Sequence, residues 1–341
     1  MTASHLYLRI VPAAAAVPDH DHIITPPMPA SPRSTHKTSI LLALLLTSVV
    51  SAEDTKPLPQ MRPEAWPLLK KLFEYDNTIP LEARTVERKE FDGQPREKIV
   101  LRTTQGFLAS GYLQFPFTDQ KRFACVLLLH GWSGSKDSWY QDNNYISGGN
   151  IRKQLLAEGY ATLMLDAQCH GDRIAANDYA PVNHFVDEQQ PVGQRRKGYF
   201  TQREIYVQTV VDYRRAIDYL ESRDDIDTDR IGLIGYSMGG TQSFMLTAVE
   251  PRINAAVACA TPSEQQRSTL YAPQNHVHGI GERPFLMVAG TGDTMCTVTH
   301  AKALFELIPS PTKDLKFYGG SHKLTPDFVP DAINWIETHV R

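Results

Sequence analysis

Only four cysteines occur in 341 residues, and they fit the disulfide framework of an exported domain poorly, because they fall in or beside expected strands instead of clustering at loop spacings. Cys125 and Cys259 lie inside apolar runs, where a thiol behaves as a small hydrophobe, and Cys169 and Cys296 lie just past two other such runs. One bridge between the two loop cysteines stays open as an alternative. No C-x-x-C spacing occurs, which removes the usual zinc-site pattern. An excess of basic charge is also missing: 35 Lys and Arg stand against 38 Asp and Glu, a net charge of -3. Without a long Lys/Arg cluster to track a phosphate backbone, nucleic acid is not an expected partner. The apolar run Ile40 to Val50 falls short of the roughly 20 residues a spanning helix needs, so no stable membrane insertion is expected.

That run has the anatomy of a secretory signal instead. Arg33, His36 and Lys37 precede it, and Val50, Ser51 and Ala52 supply the small residues of an AxA-like cleavage site. The expectation is export, to a periplasm or beyond the cell, after cleavage near Ala52. A buried or interfacial helix is the alternative. The signal begins well inside the chain, so Met28 is a second candidate start and residues 1–27 a candidate over-extension of the gene. His20, Asp21 and His22, which resemble a metal cluster, would then be absent from the mature protein.

With 42% hydrophobic residues the remainder can bury a large core in one α/β domain. Residues 53–96 read as an N-terminal helical and linker segment, Pro-rich and charged, with an amphipathic piece around Trp66 to Tyr75. Residues 97–341 read as the catalytic domain. Lys98 to Arg102 and Phe107 to Phe115 form an antiparallel hairpin at a sheet edge. From Phe123 to Leu129 onward, apolar strands alternate with helical patterns. Strands are expected at Ala161 to Asp166, before Ser237, and at Ala255 to Ala260, Phe285 to Ala289 and Leu315 to Tyr318. Helices are expected at Ile151 to Glu158, Glu204 to Leu220, after Ser237, at Ala301 to Leu307 and from about Pro330 to Val340. On Glu204 to Leu220 the residues Tyr206, Val210, Tyr213, Ile217 and Leu220 make one apolar face. This alternation predicts an α/β fold, a doubly wound, mostly parallel sheet with helices on both faces.

The stretch RIGLIGYSMGGTQSFML, Arg230 to Leu246, carries the chemistry. A buried strand runs into Gly235, Tyr236, Ser237, Met238, Gly239, and an apolar helix starts at once, the strand, turn and helix context of the GxSxG nucleophile elbow. The turn strains the serine backbone, so the positions two before and two after it must be nearly free of side chain. A serine hydroxyl is a weak nucleophile that needs a base, and the base needs an orienting group. Asp293 follows one later strand in AGTGDTM, and His322 follows the next in YGGSHKL. Ser237, Asp293 and His322 stand in the chain order expected of this fold. A tetrahedral oxyanion needs amide donors, assigned to the Met238 and Trp132 backbones, with Gly131 allowing close approach and His130 tying the loop down. Trp132 and Met238 are also the candidate substrate contacts. No metal or organic cofactor is needed.

The pieces LLLHGWSGS, LAEGYATLMLDAQCHGDR, DIDTDRIGLIGYSMGG, AGTGDT and GGSHK resemble the α/β-hydrolase superfamily. They are most similar to the branch of dienelactone-hydrolase-like proteins, bacterial acetyl xylan esterases and prolyl oligopeptidase catalytic domains. The resemblance covers most of the chain from about residue 97. It implies a serine hydrolase acting on carboxylic esters, with a small acyl group such as acetyl on a carbohydrate or another small-molecule ester as substrate. Two departures qualify it. Dienelactone hydrolases use a cysteine nucleophile where this chain has Ser237, and the residues before 97 are too few for the propeller of a prolyl oligopeptidase. A peptidase or acylaminoacyl hydrolase, a polyester or lipid esterase, and a catalytically silent binding protein are the rival readings. For His170 and Asp172 the resemblance implies a structural turn, not a second catalytic pair. Residues 174–200, polar and aperiodic, read equally as a lid-like insertion or a surface loop. Thr261 to Arg283, with Tyr271, His276 and His278, is a second candidate wall of the site.

Overall fold

The computed structural model describes residues 58–104, 106–174, 200–264 and 269–340. The N-terminal segment through Ala52 lies outside them, as do residues 175–199 of the lid-like insertion. Nine strands form one sheet in the order β1-β2-β3-β5-β4-β6-β7-β8-β9. They are β1 (Arg84–Phe91), β2 (Gln94–Thr104), β3 (Phe107–Gln114), β4 (Phe123–Leu129), β5 (Ala161–Leu165), β6 (Ile226–Tyr236), β7 (Ile253–Cys259), β8 (Phe285–Gly290) and β9 (Lys313–Tyr318). The first three run antiparallel and pass through β3 onto β5. From β5 to β9 every pairing is parallel. The doubly wound, mostly parallel α/β sheet expected from the sequence is the observed one.

Alternation along the central strands explains the layering, because successive side chains point to opposite faces. In β4, Phe123, Cys125, Leu127 and Leu129 join one core, while Ala124, Val126 and Leu128 join the other. The helices are α1 (Trp66–Lys70), α2 (Gly148–Ala157), α3 (Gln202–Glu221), α4 (Met238–Val249), α5 (Val277–Ile280), α6 (Val298–Leu307) and α7 (Val329–His339). The first core receives Val210, Tyr213 and Ile217 of α3, Phe244 of α4 and Leu304 of α6. The second receives Leu155 of α2 and Ile333 and Ile336 of α7. The face read on α3 is the one it buries, and a capping box of Thr201 with Glu204 starts that helix.

The sheet reaches further toward the N-terminus than the hairpin of the sequence reading. Arg84–Phe91 forms β1 and pairs along β2, so the segment 53–96 contributes a strand as well as the short helix α1. The physical reason is that β1 is mostly charged and exposed, and is held by backbone pairing without an apolar face to announce it. All four cysteines are free thiols. Among the described residues no helix is long and apolar enough to cross a membrane.

Register places the site. Gly235 pairs with Leu129 and with Ala258, Tyr236 with Cys259, Cys259 with Val288, and Gly290 with Tyr318. The carboxyl ends of β4, β6, β7, β8 and β9 therefore line up along one edge, where ligands of open α/β sheets bind.

Three histidines buried in this frame carry a pH prediction. His130, His276 and His300 are 2%, 0% and 1% exposed, and burial lowers them from 6.5 to about 3, about 4 and about 4. The unfolded chain takes up these protons as pH falls below about 6.5 while the native chain refuses them, so stability is full above that pH and is lost toward 4. At three protons, about 1.4 kcal/mol each, the slope near pH 5 is about 4 kcal/mol per pH unit. Urea unfolding at pH 7, 5.5 and 5 checks this; a free energy flat across that range contradicts it.

Candidate active site

Ser237 sits between β6 and α4 with φ 57° and ψ -113°, a region a side-chain-bearing residue seldom occupies. Its amide donates to the Cys259 carbonyl at 2.8 Å, and its own carbonyl accepts the Thr241 amide at 3.0 Å. The two elbow glycines are required by contact. A Cβ at Gly235 would collide with the Gly239 carbonyl and Ser243 Oγ, and one at Gly239 with the Leu129 carbonyl at the end of β4. This approach carries the first turn of α4 over the β4 edge.

Asp293 and His322 reach Ser237 from the loops after β8 and β9. His322 Nδ1 lies 2.8 Å from Asp293 Oδ2, and His322 Nε2 lies 2.8 Å from Ser237 Oγ. The carboxylate accepts only, so Nδ1 carries the hydrogen and Nε2 is left as acceptor for the serine hydroxyl. The other carboxylate oxygen, Oδ1, accepts the Met295 and Cys296 amides at 2.8 and 3.1 Å, which locks the acid in place. The Asp293 side chain is fully buried and that of His322 is 23% exposed, so the base is reachable from outside while its partner is not. The three residues picked from separate strand ends are thus brought together in one hydrogen-bonded chain. An arrangement of this kind can take a proton from the serine and hand it to a leaving group.

The amide of Met238 is the first of α4, one of the helix-start donors with no partner inside the helix. The Met238 side chain, 1% exposed, packs into the core under the elbow. What it presents at the elbow is its backbone amide. Trp132 lies on the loop after β4, half-buried, with its ring 6.4 Å from Tyr206, which in turn lies 4.8 Å from Tyr271. Of the second candidate wall, Tyr271 packs on Tyr206, whereas His276 turns inward against Trp66 and Phe73.

His130 accepts the Ala167 amide on Nε2 at 3.0 Å, which leaves Nδ1–H to donate to the Gly131 carbonyl at 2.8 Å. Burial holds it neutral, consistent with the tethering expected of it. The DAQCHGDR turn is pinned by Asp166, which accepts Lys136 Nζ at 2.8 Å and the Lys136 and Asp172 amides at 2.9 Å each. Among the described residues no group of three or more His, Cys, Asp or Glu is arranged to hold a metal ion.

Sheet order, elbow and strand-end loops define one class: the chain has the α/β-hydrolase fold. A family model described as alpha/beta hydrolase fold matches residues 125–272, which bears out the resemblance carried by the strand-end motifs. Cutinase est2 of Thermobifida alba is 26% identical over 226 residues, 64% of this chain and 65% of that protein. YtaP of Bacillus subtilis (strain 168) is 24% identical over 194 residues, 56% of this chain and 60% of that one. The matches thus span about three fifths to two thirds of the length of these relatives. Among solved structures, an acetyl xylan esterase from Paenibacillus sp. R4 superposes with TM-score 0.64 at 18% identity, covering 84% of this chain and 98% of its own. Acetyl xylan esterase 1 from Thermoanaerobacterium sp. JW/SL YS485 gives 0.59 at 16%, covering 83% and 94%. At these identities the structural likeness is one of fold.

Sequence reasoning passed over Tyr236, one of the two variable positions of the elbow. Its hydroxyl donates to the His322 carbonyl at 2.9 Å and accepts the Leu324 amide at 3.0 Å, holding the histidine loop from beneath. The signal available was a large polar aromatic at the end of an otherwise apolar strand. Tyr236→Phe leaves a buried amide and a carbonyl unpartnered, which costs about 1–3 kcal/mol. It should lower thermal stability and loosen His322, with kcat falling more than KM rises. A variant with unchanged kcat and melting temperature would remove this role.

Proposed function

We propose that the protein is a serine hydrolase that cleaves carboxylic esters through an acyl-enzyme. The observation that carries this reading is the Ser237, His322, Asp293 hydrogen-bonded chain, 2.8 Å at both links, on a serine held at positive φ. Ser237 Oγ attacks the ester carbonyl as His322 Nε2 takes its proton. Asp293 keeps Nδ1–H in the right tautomer and stabilises the imidazolium. The oxyanion is received by the Met238 and Trp132 amides. The tetrahedral adduct then expels the alcohol, protonated by His322, and water activated by the same imidazole releases the acid.

Short acyl esters of carbohydrates are the proposed substrates, supported by fold likeness to two acetyl xylan esterases and by the bulky Trp132, half-buried on the loop after β4. The cutinase among the relatives favours longer acyl chains or polyesters as the second reading. Values of kcat/KM across nitrophenyl esters of rising acyl length, with acetate release from acetylated xylan, separate the two. The expected profile falls about tenfold or more beyond acetyl, the size of penalty that a pocket fitted to that acyl group would impose. Rates that rise with chain length would replace the carbohydrate ester with the polyester reading. Ser237→Ala should lose a factor of about 10⁴ or more, and adding His322→Ala should lose little further, because the pair acts as a unit. An unchanged rate in Ser237→Ala would overturn the mechanism.

Export belongs to the same proposal and is supported by the signal-like segment before Glu53. N-terminal mass measurement on protein from its native host should give a mature terminus at Glu53. An intact Met1 would refute export.

A further inference from the structure

Two peptide planes flank the Trp132 Cα, and an imidazole touches each. In a trans peptide the C=O and N–H point in opposite directions. The bond from His130 Nδ1–H to the Gly131 carbonyl therefore aims the N–H of that same peptide, the Trp132 amide, away from His130. The following plane carries the Trp132 carbonyl, whose oxygen lies 2.6 Å from His170 Nε2. A carbonyl only accepts, so a hydrogen bond here needs the hydrogen on Nε2. The other ring nitrogen of His170 faces the Gln168 carbonyl at 2.8 Å, and a neutral imidazole has one N–H to give. In the Nε2–H tautomer it goes to the Trp132 carbonyl.

We propose that His170 is a positioning residue for the oxyanion loop. Its Nε2–H holds the Trp132 carbonyl, and with His130 on the preceding plane it fixes both backbone torsions of Trp132 and so the aim of the Trp132 amide. The inference rests on the serine hydrolase reading. His170 can act in this way because its own turn is rigid. Cys169 takes a positive φ of 63° beside it, Asp166 ties the turn to Lys136 in a pair with both side chains buried, and Arg173 pairs with Asp212 at 2.6 Å, also fully buried. The His170 ring is 7% exposed, packed 5.2 Å from His130 and edge-on to Trp132 at 5.4 Å. The loop after β5 thereby clamps the loop after β4. Since the amide so aimed meets charge that develops only in the transition state, the clamp acts on kcat and leaves ground-state binding alone.

The test compares three variants with nitrophenyl acetate as substrate. In a glutamine the amide nitrogen falls near the place of His170 Nε2, and in an asparagine near Nδ1. His170→Ala and His170→Asn should lower kcat by about 10- to 100-fold, short of removing a donor outright, with KM within about twofold. His170→Gln should return kcat to within about threefold of wild type. Inhibition by a boronic acid, whose serine adduct presents a tetrahedral oxygen to the same amides, should weaken in step with kcat. Wild-type kcat in His170→Ala would overturn the inference. So would Gln and Asn variants that lose equally, with raised KM and lowered melting temperature, since that pattern belongs to packing alone. The Gln and Asn pair decides the matter even where the Ala variant fails to fold. A Ser237→Ala control that keeps its rate would instead bring down the hydrolase reading on which the inference stands.

Discussion

The strained backbone of Ser237 is the constraint on which the rest of the structure depends. A non-glycine residue at φ 57°, ψ -113° carries roughly 1–3 kcal/mol of strain and persists only where its surroundings over-determine it. Here β6 is hydrogen-bonded on both sides, by β4 and β7, and every residue of α4 is buried. Neither element can shift to relax the turn. The small residues at 235 and 239 follow from the same demand, since α4 must start within contact of the last carbonyl of β4. Sheet order, helix burial and glycine placement are thus consequences of holding one hydroxyl proud of the strand edge.

Around that fixed point the loops are held by side chains that grip backbone. Tyr236 grips the His322 loop, Asp293 collects the amides of its own loop, and His130 and His170 grip the loop bearing Trp132. Each of these side chains is buried, and each fixes the backbone of a loop at a strand end. The groups proposed for catalysis, which come from four separate loops, can then keep distances that chemistry needs to within fractions of an ångström. The glycines in these loops serve close approach and tight turning, as at Gly320 with φ 104°.

What could be read from the amino-acid sequence was whatever leaves a pattern along the chain. The buried parallel strands show as continuous apolar runs, and β4 and β8 were legible to within a residue for that reason. Ser237 and Asp293 were legible because each follows such a run in a glycine-rich setting, and His322 because it follows a shorter apolar stretch and two glycines. β1 was not, since RTVERKEF is charged along most of its exposed length and its pairing lives in the backbone. The start of β9 was placed two residues late for a similar cause: all six of its residues are only partly buried. The roles of Tyr236 and His170 depend on carbonyls far away in sequence, which no local pattern encodes. The elbow pattern marks the Met238 amide and leaves open the rotamer of its side chain, which is buried in the fold.

The separation of the three residues in sequence has a kinetic meaning. His322 and Ser237 are 85 residues apart, and His322 and Asp293 are 29 apart, with β7, β8 and β9 all needing to join the sheet between them. Contacts this far apart in sequence are costly to close and tend to form late. Recovery of the proposed hydrolytic rate during refolding would accordingly report completion of the whole sheet, since the strands around the elbow pair across a still longer span of sequence, Leu129 with Gly235.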